Sequence, residues 1–213
     1  MAQRMIHYLF GRLLSESAVI KDKERFLLGS LLPDAYSDTA ERDAAHYIVR
    51  DGKSAMFDFA RFRADFSEYI VRDGLYLGYY MHLIEDAFYR SFAAEKQIRK
   101  PETAEGLAFL HGDYHILNGY IVRKYVLSFG LDASADISGE AINSIARFDV
   151  KRLIREIEAD FNEEITGETT YITTSSVDEF IERYLPPVKE ELLAVLSGRT
   201  TLEPEEYIYI SRG

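Results

Sequence analysis

Residues 75–95 are predicted to form one long helix, and this helix sets the strongest constraint on the fold. The eleven residues 74–84 contain no Asp, Glu, Lys or Arg, a stretch too short to span a bilayer. Within the same helix, His82, Glu85 and Asp86 interrupt a run of Tyr, Leu, Ile and Phe. A histidine and a carboxylate in an apolar setting need partners, and a metal ion can supply them.

Helical periodicity recurs along the rest of the chain, which predicts an all-α fold. We expect a single-domain bundle of about seven to eight helices over residues 1–213, with residues 165–213 forming a C-terminal helix and tail. The predicted helices cover residues 5–14, 21–32, 56–71, 75–95, 103–128, 138–145, 150–164 and 176–197. The sequence predicts irregular structure at 37–54, a loop with at most one short strand at 166–176, and an extended tail at 200–213.

Composition narrows the partners that the protein can have. A net charge of −11 argues against nucleic acid or an anionic membrane surface as the main partner, because both need a basic footprint. It leaves room for a small phosphorylated substrate held through a metal ion. The chain has no cysteine, so a metal site must use histidine nitrogen and carboxylate oxygen. Its first residues lack the pattern of a signal peptide, and we expect a cytoplasmic protein without stable membrane association.

His82 and Asp86 are four residues apart on the long helix, a spacing that lets both side chains reach one ion. Gly78 precedes them by one turn and leaves space for a neighbouring helix, a metal or a substrate. Glu85 borders the same face, either as the partner of a ligand or as a solvated residue. Taken alone, the pair is more typical of an ordinary His–Asp hydrogen bond at a helix surface than of a metal site.

Three further residues, together with this pair, form a candidate metal site. His7 lies on or beside the apolar stripe of the first helix, Asp34 follows a helix stop, and His46 stands in the apolar stretch "AAHYIV". Each alone is more often a backbone-bonded histidine or a turn residue. Together they match the ligands of zinc, iron or manganese sites in a protein without cysteine. The predicted set is His7, Asp34, His46, His82 and Asp86.

The stretch "HGDYHILN" offers further candidates. His111 and His115 share a face if the segment is helical, whereas a break at Gly112 would let His111 and Asp113 converge. His111 is therefore a candidate metal ligand, and Asp113 and His115 are candidates to support the site or bind substrate. Tyr79 is a candidate to line the pocket, with packing in the core as its alternative role.

At these residues the chain resembles the zinc-dependent phospholipase C family, in its short bacterial intracellular branch. The resemblance covers roughly residues 5–90 in order and spacing, and "LHGDYHILN" is its continuation. It is carried by His7, "GSLLPD" with Asp34, His46, and "GYYMHLIED" with His82 and Asp86. It implies an all-α fold with a cluster of two divalent metal ions among the helices, zinc first, with iron, manganese or nickel as alternatives. By position it implies that one ion is held by Asp34, His46, His82 and Asp86. Asp86 would bridge to a second ion, which His7 also ligates.

The activity implied by the resemblance is that of a metal-dependent phosphoesterase, in which an acidified water attacks phosphorus. Asp34 and Asp86 would be the catalytic carboxylates, with Asp34 acting as a base or an orienting group. The chain departs from secreted members, because it has no Trp, has Phe92 near the place of a further histidine, and offers only His111 and His115 for a later H-x-x-x-E pair. These departures favour two ions over three, and a small soluble phosphoester over a phospholipid.

Two other functions stay open on the sequence. A helical protein that binds a metal or a small molecule without catalysis would use the same ligands. An HD-type phosphohydrolase is less favoured, because it needs an adjacent His-Asp pair and the chain contains none.

Overall fold

A computed structural model describes residues 3–17, 19–163 and 165–210 of the chain. Within these ranges the protein is a mostly helical single domain, which confirms the main part of the predicted fold class. The described helices are α1 (Arg4–Ser15), α2 (Lys23–Gly29), α3 (Arg42–Ala45), α4 (Phe59–Asp65), α5 (Ser67–Ile70), α6 (Gly74–Glu95), α7 (Ala104–Lys124), α8 (Val150–Phe161) and α9 (Thr174–Leu196). Short 3-10 helices cover Leu32–Ala35, Thr39–Glu41, Ala141–Ser144 and Pro204–Tyr207.

A small antiparallel sheet departs from the all-α prediction. Its strands are β1 (Ile48–Asp51), β2 (Ser54–Phe57) and β3 (Tyr209–Ile210), in the order β1-β2-β3. Residues 37–54 were expected to be irregular and residue 56 was expected to start a helix, so both expectations are wrong here. The turn at Gly52 has a positive φ of 58°, as suits glycine. Pairing of Ala55 with Tyr209 joins distant parts of the chain, which no local pattern reveals.

Capping residues set the first residues of α7 and α9. The side chain of Thr103 accepts a hydrogen bond from the Gly106 N–H at 3.0 Å and begins α7 as predicted. Helix α9 instead begins at Thr174, because Thr173 and Ser176 form its capping box. Residues 165–173 contain no strand, and the predicted helix at 138–145 is only the short 3-10 turn Ala141–Ser144.

Helix α6 lies at the centre of the core, and seventeen of its 22 residues are buried. It packs backbone against backbone on α2, because glycine occurs at the contact on both helices. A Cβ atom on Gly78 would lie 2.1 Å from the Phe26 carbonyl oxygen, and one on Gly29 would lie 2.0 Å from that of Leu75. The space left by Gly78 is therefore filled by a neighbouring helix, one of the three expected alternatives.

The C-terminal segment crosses the other half of α6. Tyr207 contacts Phe88 with ring centroids 5.0 Å apart, and Tyr209 packs at 5.7 Å on Phe57 of β2. Tyr209 also lies below Arg90 of α6, with 5.2 Å between the guanidinium carbon and the ring centre. Across the described ranges, no helix has the length and apolar character needed to cross a membrane.

Candidate metal centre

Five of the predicted ligands come together beside α6. They are His7 of α1, Asp34 of the 3-10 helix Leu32–Ala35, His46 directly after α3, and His82 and Asp86 of α6. In the described ranges, ligand atoms within 4.8 Å of one another form two groups that share His82. One group adds His7 and Asp34, and the other adds His46 and Asp86. The five residues therefore form one cluster, which we call the His–Asp cluster.

The spacing of the ligand atoms fits a metal ion. His46 Nε2 lies 3.3 Å from Asp34 Oδ1, and His82 Nε2 lies 3.7 Å from Asp86 Oδ2. His7 Nε2 lies 3.5 Å from Asp86 Oδ1. Two atoms that are each ~2.1 Å from a tetrahedral zinc ion lie about 3.4 Å apart. All three Nε2 atoms are buried without a hydrogen bond to the described residues, so the donor set matches a metal better than an internal network.

The other ring nitrogen of each histidine is held by a hydrogen bond. His7 Nδ1 lies 2.7 Å from Glu85 Oε2, while His46 Nδ1 and His82 Nδ1 lie 2.9 Å from the carbonyl oxygens of Arg42 and Ser30. When Nδ1 donates these bonds, Nε2 keeps its lone pair for the centre of the cluster. Metal-binding histidines are typically oriented in this way by a carboxylate or a carbonyl.

Close packing of the helices explains why these partners meet. The glycine contact between α2 and α6 brings the Ser30 carbonyl to His82. A Cβ atom on Gly11 of α1 would lie 2.4 Å from the Ser30 hydroxyl, so α1 also approaches this point closely. The rings of His7 and His82 stack at 3.7 Å as a result.

Tyr79 supports the cluster from the core and does not line an open pocket. It is fully buried, and its ring stacks on Phe62 at 4.7 Å. Its hydroxyl donates a hydrogen bond to the carbonyl oxygen of Ala45, the residue before His46. Burial raises the pKa of Tyr79 well above its ordinary value, which keeps the hydroxyl a donor. The contact fixes the end of α3 and with it the position of His46.

Charges in the metal-free cluster are strongly perturbed. Burial alone would lower the pKa of His7, but Asp86 and Glu85 outweigh it and raise the value to about 10. Burial would raise the pKa of Asp34, yet His46 and His82 lower it to about 2. Burial and the neighbouring His7 lower the pKa of His82 to about 3. The cluster thus keeps Asp34 ionised and His82 neutral, the forms in which they bind metals, whereas His7 is protonated without a metal and must release its Nε2 proton to bind one.

Solvent reaches the cluster at one residue. His7, His46, His82 and Asp86 have no exposed surface, whereas the side chain of Asp34 is 10% exposed. The ring of Tyr36 stands edge-on to His46 at 6.0 Å on this side. An incoming molecule would therefore meet Asp34 first.

The candidates on α7 do not join the cluster. His111 is exposed, and His115 is exposed and paired through Nδ1 with Glu163. Helix α7 runs unbroken through Gly112, so of the two alternatives His111 and His115 share a face and the break that would bring His111 to Asp113 does not occur. His111 and His115 belong to neither group of ligand atoms, so the prediction of His111 as a metal ligand has no support in the described structure.

Asp113 has a structural task instead. Its carboxylate is buried and accepts hydrogen bonds from three successive backbone N–H groups, at 2.7 Å from Thr170, 2.6 Å from Tyr171 and 3.0 Å from Ile172. It thereby holds the loop before α9 and does not take part in the cluster.

The sequence did not identify the carbonyl groups of Ser30 and Arg42 as partners of the cluster. Every residue carries a carbonyl, so side-chain patterns contain no signal for them. The described structure thus contains buried His and Asp groups that could hold a metal ion. In comparisons with known proteins, no protein-family model, no curated protein and no solved structure matches this chain.

Proposed function

We propose that the protein is a metal-dependent hydrolase that cleaves a small phosphoester at a centre of two divalent ions, zinc being the simplest choice. One observation carries the proposal: three buried Nε2 atoms, each oriented through Nδ1, converge on Asp34 and Asp86 at a spacing suited to tetrahedral zinc. The order of these residues along the chain also resembles the zinc-dependent phospholipase C family. We extend the proposal to a distant relationship with that family.

The orientation of Asp86 supports two ions over one. Its Oδ2 atom faces His46 at 3.8 Å and His82 at 3.7 Å, while its Oδ1 atom faces His7 at 3.5 Å. Asp86 would therefore bridge an ion held with Asp34, His46 and His82 and an ion held with His7. The second ion would have fewer ligands among the described residues, which leaves coordination positions for water and substrate.

The chain's own residues have separate tasks in this proposal. When bound, the ions would acidify a water molecule and offset the negative charge of the phosphoryl group. Asp34 reaches solvent and is positioned to orient that water or accept its proton. Glu85 holds the Nδ1 proton of His7 at 2.7 Å, which keeps the ring in the orientation that a ligand needs.

Deep burial of the cluster also suits a second function, a metal-binding protein without catalysis. Four of the five cluster residues have no exposed surface, as expected of an ion whose positions are all filled by protein. The two functions differ in whether a phosphoester is hydrolysed, since both require the same ligands.

Metal analysis and hydrolysis assays on the same samples test both functions. We expect about two zinc ions per chain after reconstitution, with hydrolysis of p-nitrophenyl phosphate or bis(p-nitrophenyl) phosphate. Asp86→Asn should lose both ions together because Asp86 is the proposed bridge. His111→Gln is the matched control, since it changes an exposed histidine.

Three results are informative. A wild-type protein without zinc above background would exclude both functions. Zinc without hydrolysis of either ester would favour the non-catalytic protein. Retention of one ion in Asp86→Asn would contradict the bridging role while leaving a metal site in place.

A further inference from the structure

Arg90 lies one helical turn beyond Asp86 on α6. Residues four apart share a helix face, so Arg90 continues the line formed by His82 and Asp86. Side chains on a helix lean toward its N-terminus, which directs Arg90 back toward Asp86 and the His–Asp cluster. From this face an extended arginine side chain would reach a substrate bound beside the cluster.

In the described part of the chain, Arg90 lacks the carboxylate partner that the half-buried Arg4 and Arg25 each have. Arg4 pairs with Glu156 at 2.7 Å, and Arg25 pairs with Asp73 at 2.6 Å. Arg90 has no carboxylate within 4.0 Å in the described ranges, and its Nε atom is buried there without a hydrogen-bond acceptor. A partly buried guanidinium normally has an anionic partner, because desolvation of the charge is otherwise unfavourable.

Tyr209 of β3 holds the guanidinium in place. The guanidinium carbon of Arg90 lies 5.2 Å from the centre of the Tyr209 ring, within the range of a cation–π contact. Burial raises the pKa of Tyr209, the charge of Arg90 lowers it and the charge of Asp86 raises it, so both residues of α6 act on its hydroxyl. Arg90 is thus ordered by an aromatic face that leaves its hydrogen-bond donors available for a ligand.

We propose that Arg90 binds the phosphate group of the substrate and that the substrate is a phosphomonoester, an inference that rests on the proposed hydrolase function. The planar fork of an arginine matches two phosphate oxygens at once. Tyr209 keeps that fork oriented, so the C-terminal strand contributes to substrate binding through Arg90.

Charge favours a monoester over a diester. Two divalent ions would bring about four positive charges, of which the carboxylates of Asp34, Asp86 and Glu85 offset about three. Arg90 raises the net charge to about +2, which matches the charge of about −1.5 to −2 on a phosphomonoester at pH 7. A phosphodiester carries only one negative charge and gains less from Arg90.

Calorimetric titration of the zinc-loaded full chain with inorganic phosphate tests the role of Arg90. We expect Arg90→Gln to bind phosphate roughly 10- to 100-fold more weakly than the wild type, the loss of a charge-assisted contact. Arg90→Lys should be weakened less, since it keeps the charge and loses the fork. The KM for p-nitrophenyl phosphate should rise more in Arg90→Gln than the KM for bis(p-nitrophenyl) phosphate. Zinc content should equal that of the wild type.

Two controls make the result specific. Arg183→Gln removes an exposed arginine paired with Glu95 and should leave phosphate affinity unchanged. Arg152→Gln removes the other arginine whose buried Nε has no acceptor in the described ranges, although its Nη2 donates to the Tyr36 carbonyl at 2.6 Å. Phosphate affinity should depend on Arg90 and not on Arg152.

The role of Arg90 is contradicted, while the proposed hydrolase function stands, if zinc-loaded and hydrolytically active Arg90→Gln binds phosphate as tightly as the wild type. The same holds if phosphate affinity falls in Arg152→Gln and not in Arg90→Gln. If Arg90→Gln does not fold, Arg90→Lys decides, and wild-type affinity in that variant overturns the inference. A wild type without zinc overturns the proposed function and the inference with it. The zinc content measured on each sample separates these cases.

Discussion

Two helices of this protein carry histidines four residues from another potential ligand, and they end in opposite environments. On α6, His82 and Asp86 are fully buried and meet His7 and two other ligands. On α7, His111 and His115 have the same spacing and face solvent. Spacing along a helix therefore decides only that two side chains share a face. What makes a candidate site is the set of elements that pack against that face.

The glycines on the two helices show the same contrast. Gly78 lies one turn before His82, and a Cβ there would collide with α2, so the helix that ends directly before Ser30 is in direct contact. Gly112 has nothing within 4 Å of the corresponding position. Helix α6 is surrounded, whereas the histidines of α7 belong to neither group of ligand atoms in the described part of the chain.

The largest difference between the two helices should be seen in metal content. His82 belongs to both groups of ligand atoms, so we expect His82→Gln to lose essentially all bound zinc. His111→Gln should keep the wild-type amount, because its ring is exposed on α7. Elemental analysis of the purified variants measures both. Equal zinc content in the two variants would show that the buried pair on α6 is no more important for zinc binding than the exposed pair on α7.

Removal of the metal should destabilise the protein through α6. A ligand at about 1,000 times its Kd stabilises the folded state by about 4 kcal/mol, which corresponds to roughly 8–16 °C in Tm for a chain of this size. We expect chelation to lower Tm by that order, as measured by calorimetry with and without chelator. Hydrogen exchange should accelerate around His82 more than around His115. Uniform acceleration over both helices would indicate that the metal stabilises the whole fold and not the cluster first.

The two carboxylate–histidine pairs give a matched test of orientation. Glu85 contacts His7 Nδ1 in the core, and Glu163 contacts His115 Nδ1 near the surface. Loss of a partner that orients a metal-binding histidine typically costs 10- to 100-fold in metal affinity. We therefore expect zinc affinity to fall by about that factor in Glu85→Gln and to stay unchanged in Glu163→Gln. Competition with a chromophoric zinc chelator gives both values, and a loss in Glu163→Gln would show that α7 acts on the site.

Much of the helical part of the fold could be predicted from local pattern, because caps and periodicity act within one segment. Thr103 and the apolar run of α6 are examples. The hairpin of β1 and β2 was missed, since its strands are four residues long and its third partner is Tyr209, far away in sequence. A contact between two segments that are distant in the chain produces no periodic pattern of apolar residues in either segment.

The residues proposed as metal ligands could also be predicted from the sequence. The groups that hydrogen-bond to these ligands could be predicted only in part. His7 and Asp86 could be proposed from residue type and apolar flanks. Glu85 could not be assigned, because only the position of α1 decides that it meets His7 and not solvent. For His111 the same limit applies: its own segment contains no signal for whether the other ligands of the cluster pack on its face, and in the described structure they do not.

The smallest expected effect is a change in the free energy of unfolding on substitution of Gly112. This change can be compared with that of the same substitution at Gly78 on α6. An alanine there would meet no atom within 4 Å and would raise helix propensity, so we expect Gly112→Ala to stabilise the protein by about 0.5–1 kcal/mol. The same change at Gly78 would place a methyl group 2.1 Å from the Phe26 carbonyl oxygen and must push α2 away from α6. Gly78→Ala should therefore destabilise the protein and weaken zinc binding, because the Ser30 carbonyl would move from His82 Nδ1. Urea unfolding compares the two variants. A stabilising Gly78→Ala would show that the close helix contact is not what positions His82.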